Sequence, residues 1–169
     1  DPYTSHHTNL GLIKMEDIQG TPAAAKMIEE GDSTKPFSTE KMVNFLLERG
    51  VNPSQIVIGS NFSGRAWQGV PPENNGLYQL NRGRWSGRAG YARIRAEMED
   101  KNGFVRYWDP VARAPYLYNA KDSVFITYDD TMSVRLKTKY AAEKGLGGIM
   151  FWQLGADTPE DGLVDAIYA

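Results

Sequence analysis

The 169-residue chain carries a formal net charge of −2 and contains no cysteine. Its length fits one domain, or one domain with an insertion, and the lack of cysteine excludes disulfides and thiolate metal sites. No apolar run approaches the ~20 residues that a membrane span requires, and the near-neutral charge argues against nucleic acid as the main partner.

The first nine residues are polar and are predicted to form a loop. Asp1 is an unusual first residue, so we expect the chain to begin inside a larger protein. His6 and His7 are adjacent and cannot face one metal ion from the same side of a helix or strand. Surface or hydrogen-bonded histidines are the better interpretation, and we expect no metal and no cofactor.

Two helices are predicted before the first strand. Residues 21–30 fit a short helix with Pro22 in its first turn. Ser38 is predicted to cap a second helix, which Gly50 ends. After a turn, residues 56–59 form a short β-branched run that is typical of a buried strand. This order predicts half of a βαβ unit.

The middle of the chain has a different composition. Residues 64–76 are predicted to be a loop because they contain proline and asparagine–glycine breakers. The segment 77–122 is rich in glycine, arginine and tyrosine, with strand-like pieces at 103–108 and 114–118 and a helix at about 91–100. This mixture predicts a small α+β insertion with antiparallel strands.

The parallel α/β pattern is predicted to resume at 124–128, which reads as a strand. Asp130 is placed to cap a helix over 133–144, which Gly145 ends. A last short helix is expected within 161–167.

The stretch 147–157 is the element around which the others are arranged. Its glycine pair and short apolar run predict a fully buried strand of a parallel sheet. Such sheets bind ligands at the carboxyl ends of their strands, and Trp152 lies at that end. An indole there can stack on the apolar face of a sugar, although a core tryptophan is the simpler interpretation of this run alone.

Arg65 follows the strand at 56–59 and would face the same edge of the sheet. It can hydrogen-bond a polar ligand or form a salt bridge that stabilises its loop, and the local sequence favours neither. Further arginines alternate with Trp85 and Tyr91, a pattern also found on single-stranded nucleic-acid surfaces. They are Arg82, Arg84, Arg88, Arg93 and Arg95. Acidic residues nearby favour a solvated face instead.

Five groups of residues, in this order, are typical of one enzyme family. They are 5–10; 56–59 with 64–67; 108–109 with 114–118; 125–130 with Ser133, Val134 and Lys137; and 147–152. Together they resemble the C-terminal part of the catalytic domain of a glycoside hydrolase family 18 chitinase. Each group alone is a weak signal, but five in family order are specific.

The resemblance implies an α/β fold, namely the C-terminal part of a (β/α)8 TIM barrel with an inserted small α+β domain. Strand 7 would lie at 56–62 and strand 8 at 148–154. The chain would then divide into a barrel segment (1–76), the insertion domain (77–122) and a second barrel segment (123–169).

The resemblance also implies a substrate, chitin or chito-oligosaccharides, and three contacts with it. Trp152 would form the floor under the sugar whose bond is cut. Arg65 would contact sugar from strand 7, and Leu154 would line the same subsite.

The family's catalytic machinery is not in this sequence. Its acid lies on strand 4 in a motif Asp-x-x-Asp-x-Asp-x-Glu, which does not occur here, and the strand-6 motif Met-x-Tyr-Asp is expected just before Asp1. Ser63 stands where many relatives have tyrosine, and Arg93 where some have glutamate. Family 18 needs one glutamic acid because the substrate's own acetamido group is the nucleophile. We therefore expect no catalytic residue in this chain and no activity from it alone.

Two barrel strands cannot close a barrel, and each would have an open edge. Val57, Ile149 and Phe151 would then be exposed to water on the inner face. We expect the chain to require the N-terminal part of the barrel, as another chain or segment.

The sequence thus predicts a segment of a secreted chitinase that hydrolyses β-1,4-linked N-acetylglucosamine polymers with retention, with no nucleic-acid or membrane partner. A non-catalytic chitin-binding lectin on the same scaffold, or an inactive fragment, stays open as an alternative.

Overall fold

The computed structural model describes residues 1–31 and 37–169, in which six strands form two sheets. The strands are β1 (Val57–Asn61), β2 (Arg65–Trp67), β3 (Phe104–Asp109), β4 (Ala114–Asn119), β5 (Val124–Thr127) and β6 (Gly148–Trp152). The α-helices in the same residues are α1 (Pro22–Glu29), α2 (Thr39–Glu48), α3 (Tyr91–Glu97), α4 (Thr131–Glu143) and α5 (Leu163–Tyr168). None of these helices combines the length and the apolar character needed to cross a membrane.

β1 and β6 form a parallel pair in which Val57 lies opposite Gly148 and Asn61 opposite Trp152. The predicted strands at 56–59 and within 147–157, and their parallel arrangement, are therefore confirmed. The prediction that the strand within 147–157 is fully buried is wrong for the described residues, because one face of the pair is uncovered and no residue of β6 is buried. Within the described residues each of the two strands has one partner, so the sheet has two open edges. The assignment of these strands to positions 7 and 8 of a barrel stays a prediction.

The two faces of this pair differ in burial. One face packs against α2 and α4, where Ile58 contacts the cluster that contains Val43 and Tyr140. The opposite face carries Val57, Met150 and Trp152, which are 55%, 51% and 69% exposed.

The prediction that Ile149 and Phe151 share the exposed face with Val57 is wrong. Side chains alternate along a strand, and parallel register places Val57 beside Gly148. The residues on Val57's face of β6 are therefore 148, 150 and 152. Ile149 packs with the helix-side cluster, and Phe151 stacks on Phe62 with ring centroids 4.8 Å apart.

The second sheet is antiparallel, with strand order β2-β5-β4-β3. Segment 77–122 supplies β3 and β4, and the flanking strands β2 and β5 complete the sheet. Residues 65–67 were predicted to be loop and form β2 instead, and 124–128, interpreted as a return to the parallel part, contributes β5 to this sheet. Local sequence could not reveal this because antiparallel pairing joins residues distant in sequence. The limits 77 and 122 stay a prediction.

The predicted helix caps are confirmed. The Ser38 hydroxyl accepts a hydrogen bond from the backbone of Lys41 at 2.9 Å, and Gly50, with φ of 81°, follows the end of α2. Asp130 accepts from the backbone N–H of Ser133 at 2.9 Å. It caps α4, which begins at Thr131, two residues before the predicted start.

A buried ion pair joins α4 to β1. The Asp129 carboxylate and the Lys137 ammonium lie 2.6 Å apart, and both side chains are almost fully buried. The same carboxylate accepts hydrogen bonds from the hydroxyls of Ser60 and Ser133, at 3.1 and 2.8 Å, and from the backbone N–H of Asn61 at 3.3 Å. The carboxylate therefore fixes the last residues of β1 relative to α4.

We predict that Lys137→Ala destabilises the intact protein by about 3–5 kcal/mol, because it leaves a buried carboxylate without a counter-charge. The measurement is urea unfolding followed by tryptophan fluorescence. Lys139→Ala is the matched control, since this lysine on the same helix is exposed and pairs with Glu143 on the surface. We expect it to change the free energy of unfolding by less than about 1 kcal/mol; equal effects of the two variants would contradict the prediction.

Candidate functional site

Trp152 ends β6 and is 69% exposed, so it is not a core tryptophan among the described residues. Its carbonyl accepts a hydrogen bond of 2.8 Å from the backbone N–H of Phe62, just past the end of β1. The stacked rings of Phe62 and Phe151 lie on the buried side of the same strand ends. The backbone of Trp152 is thus held from both strands, and its indole faces away from the helices.

Leu154 follows two residues later, in a short 3₁₀ helix, and is 65% exposed. Leu154 and Trp152 are thus two exposed apolar side chains, one just past the carboxyl end of β6 and one at it. Exposed apolar side chains together with hydrogen-bonding groups are what a sugar ring requires of its binding site.

Arg65 begins β2, and its side chain is exposed. Its Nη1 lies 3.2 Å from Nδ1 of His7. Within the described part of the chain, no carboxylate forms an ion pair with Arg65, so the alternative of a loop-stabilising salt bridge is not supported there. Nor does any hydrogen bond or ring contact among the described residues join Arg65 to Trp152.

His7 is held against the buried Trp67, with ring centroids 5.3 Å apart and an interplanar angle of 27°. Burial, and after it the positive charge of Arg65, lowers the pKa of His7 to about 4. The imidazole is therefore neutral at ordinary pH, and its Nδ1 is free to accept a hydrogen bond. The sequence favoured a surface or hydrogen-bonded histidine over a metal ligand at this position, but it did not identify Arg65 as the partner of His7.

His6 makes a separate contact on the other side of the segment. Its Nε2 lies 2.9 Å from Oδ2 of Asp109 at the end of β3, and its ring is edge-on to Tyr78 and Tyr116. The adjacent histidines thus face different partners. Among residues 1–31 and 37–169, no three His, Asp or Glu side chains form a group that could hold a metal ion.

Asp109 receives several hydrogen bonds. Burial alone would raise the pKa of this carboxyl, but the hydrogen bond and charge of His6 and the backbone N–H groups of Ala112 and Val111 outweigh burial and lower it. Those backbone bonds are 3.2 and 2.9 Å long. The carboxylate therefore anchors the segment that carries His7.

The arginine-rich strip is partly neutralised. Arg93 pairs with Glu97 at 2.8 Å, and Arg95 donates to the carbonyl of Asp161. Of the nearby acids, Glu97 is therefore a direct partner of the strip.

A cavity of about 680 Å³ lies beside the open edge of β1. Its lining comes from three places: the first strand at 56–59, α2 at Thr39, Met42, Val43 and Leu46, and the N-terminal segment at Tyr3, Ser5, His6, His7 and Asn9. The cavity is mostly apolar and runs along backbone that has no strand partner on that side among the described residues.

The sequence profile described as "Glycosyl hydrolases family 18" matches residues 4–157, which is nearly the whole chain. The chain belongs to glycosyl hydrolase family 18. Family membership brings with it a TIM-barrel-type α/β fold, in agreement with the parallel pair and its covering helices.

The chain is similar to several curated members of the family. It is 44% identical over 117 residues to Chitinase A1 of Niallia circulans, covering 66% of this chain and 17% of that protein. It is 32% identical over 144 residues to Chitinase B of Serratia marcescens, covering 72% of this chain and 29% of that protein. The chain therefore spans less than a third of the length of either relative.

Among solved structures, a family 18 N-acetylglucosaminidase from Paenibacillus barengoltzii superposes with a TM-score of 0.80 at 38% identity. The match covers 99% of this chain and 43% of that one. The fold described above is thus similar to part of a larger family 18 structure.

We predict that Asp109→Asn destabilises the intact protein by about 1–2 kcal/mol at pH 7, because it removes a charged hydrogen-bond acceptor. The folded-state pKa of Asp109 lies below its ordinary 3.8. Its contribution is therefore fully present above pH 3.8 and lost as the pH falls through the lower folded value. The measurement is the difference in free energy of unfolding between wild type and variant as a function of pH.

The difference should shrink as the pH falls below 3.8. Glu143→Gln, at an exposed position on α4, is the control and should give a small difference at every pH. A wild-type advantage that persists unchanged to pH 2 would contradict the role given to the carboxylate.

Proposed function

We propose that this chain is the C-terminal part of the catalytic barrel of a chitinase that hydrolyses β-1,4-linked N-acetylglucosamine polymers. In this proposal β1 and β6 are strands 7 and 8, and the antiparallel sheet belongs to the insertion domain that forms one wall of the cleft. The observation that carries it is the exposed indole of Trp152 at the carboxyl end of β6, because barrel enzymes bind substrate at that end of their strands.

The proposed sugar contacts are of two kinds, apolar contacts and hydrogen bonds. Trp152 supplies an apolar plate for the face of one N-acetylglucosamine ring, and Leu154, also exposed, extends the apolar surface. The Arg65 guanidinium has only donors, so it serves the hydroxyl and carbonyl oxygens of the sugar. No member of this set can donate a proton to a leaving group at neutral pH, so their role is to bind and orient.

The proposed chemistry is substrate-assisted and retaining. A glutamic acid protonates the glycosidic oxygen, and the acetamido oxygen of the substrate attacks the anomeric carbon in place of a protein nucleophile. The family motif that holds this acid is absent from the sequence. The part of the protein that carries strands 1 to 6 therefore supplies it, and the present chain contributes the binding surface.

The same N-terminal part is the proposed partner of this chain. Both strands of the parallel pair have an open edge within the described residues, and an unpaired edge accepts a further strand. The apolar cavity beside β1 is bounded by strand, helix and N-terminal segment and fits a strand that pairs with β1. The exposed Val57 and Met150 would then be covered by the barrel interior. By resemblance to the family, we propose that the assembled enzyme is secreted.

We predict that the isolated 169-residue chain unfolds without a sharp thermal transition, since one sheet lacks its neighbours. Co-expression with the N-terminal part of the barrel should give a stable complex that unfolds cooperatively. The measurement is calorimetry on the chain alone, on the complex and on the covalently continuous protein as control. A monomeric isolated chain with a sharp, cooperative transition would overturn the proposed partner.

We predict that Trp152→Ala in the assembled protein weakens the binding of chitotetraose by about 1–3 kcal/mol, because the ring loses its stacking surface. Isothermal calorimetry measures the difference. Tyr168→Ala is the matched control, since Tyr168 is a highly exposed aromatic at the end of α5. Unchanged binding in the Trp152 variant would rule out the stacking role.

A second candidate is a chitin-binding lectin that lacks catalysis. It is favoured by Ser63, which stands where many family members have a tyrosine contact, because a serine side chain cannot supply an aromatic ring. The assembled protein distinguishes the two candidates: release of chitobiose from chitotetraose supports the chitinase, and binding without cleavage supports the lectin.

A further inference from the structure

His7 is fixed from three directions at the position where β2 and β5 pair. Its backbone N–H points to the hydroxyl of Thr127, with N and Oγ1 3.4 Å apart. Its ring stacks on the buried Trp67. Its Nδ1 lies 3.2 Å from Nη1 of Arg65, and Arg65 and Thr127 are register partners in the sheet. The imidazole therefore has one orientation relative to the Arg65 side chain.

The contact with Arg65 determines which nitrogen of the neutral His7 ring carries the proton. A guanidinium has no acceptor, so Nδ1 must carry a lone pair and Nε2 must carry the proton. The ring is thus a neutral acceptor that faces a cation. Arg65, in turn, has no carboxylate partner in the described part of the chain, so His7 is what constrains its head group there.

We propose that His7 is a positioning residue, which holds the guanidinium of Arg65 in the orientation that meets the chito-oligosaccharide. This inference rests on the proposed function, in which Arg65 contacts sugar. His7 touches no substrate atom in it: the imidazole acts through Arg65. Fixing a long, flexible side chain before the ligand arrives lowers the entropy lost on binding.

The surroundings of the His7 ring allow its contact with Arg65 to persist over a wide pH range. Burial, and after it the charges of Arg65 on β2 and of His6, disfavour the charged ring, and the pKa of His7 falls to about 4. The Asp1 carboxylate lies 3.4 Å from Nε2 and acts in the opposite sense. Protonation of Nδ1 would turn the acceptor into a donor, so the contact with Arg65 holds above pH 4 and is lost below it.

The test uses the assembled protein and compares kcat and KM on chitotetraose for wild type, Arg65→Ala, His7→Phe and the double variant. His7→Phe keeps a ring for Trp67 and removes the acceptor. We expect it to raise KM about fivefold, the typical net effect of one hydrogen bond, with kcat unchanged. The double variant should be no worse than Arg65→Ala alone, since the two residues act as one unit.

Two further variants separate positioning from folding. His7→Asn places an amide oxygen near the site of Nδ1 and should recover most of the wild-type KM. Arg49→Ala, at the end of α2, is the control for loss of an exposed arginine and should leave both constants unchanged. A double variant with additive losses would overturn the inference, because it would show that His7 acts independently of Arg65.

Nitrogen NMR of the His7 ring tests the contact without any variant. We expect an unprotonated Nδ1 and a protonated Nε2 at pH 7, and a pKa that rises in Arg65→Ala. The opposite tautomer, or a pKa that does not respond to Arg65→Ala, would overturn the inference even if His7→Phe does not fold. Wild-type protein that neither binds nor cleaves chitotetraose would overturn the proposed function, and the inference with it. Wild-type activity with additive variants would overturn the inference alone.

Discussion

The buried pair of Asp129 and Lys137 is the interaction on which the parallel half of the structure depends. Its carboxylate accepts hydrogen bonds from the end of β1 and from α4 at the same time. Breaking a buried pair of this kind costs about 3–5 kcal/mol, against less than about 1 for a surface pair such as Lys139 with Glu143. Because Asn61 lies opposite Trp152 in the register, fixing β1 also fixes the strand end that carries the indole.

A second set of contacts joins the N-terminal segment to the antiparallel sheet. The Thr4 backbone donates to the carbonyl of Gln79 at 2.7 Å, His6 binds Asp109, and the backbone of His7 lies against Thr127. Each contact spans many residues of sequence, so each closes a large loop. Together they hold the segment against the antiparallel sheet, which is why His7 can reach Arg65.

The sequence predicts well what is decided locally. The caps at Ser38 and Asp130 and the strand that ends at Trp152 follow from a few adjacent residues. The sequence does not predict features that depend on contacts between distant segments. β2 forms because it pairs with β5. The register with β1 determines which face of β6 is exposed to solvent. The contact between His7 and Arg65 spans 58 positions and leaves no periodic signal, so the sequence could indicate a hydrogen-bonded histidine but could not name its partner. The family resemblance, by contrast, depends on the order of short motifs and is confirmed by the match over residues 4–157.

Three apolar side chains are exposed on the open face of the parallel pair. Their exposure has different causes because they lie at different depths along the strands. Val57 begins β1, Met150 lies in the middle of β6, and Trp152 ends it. In a barrel, layers of side chains fill the interior, and ligands reach only the layer at the carboxyl ends of the strands. In the proposed barrel, Val57 and Met150 would be covered by neighbouring strands, which a bound sugar cannot replace. Trp152 would lie in the layer that stays open, so its exposure would persist once that barrel is complete. This difference in depth is the physical reason to assign substrate binding to Trp152 and assembly to the other two.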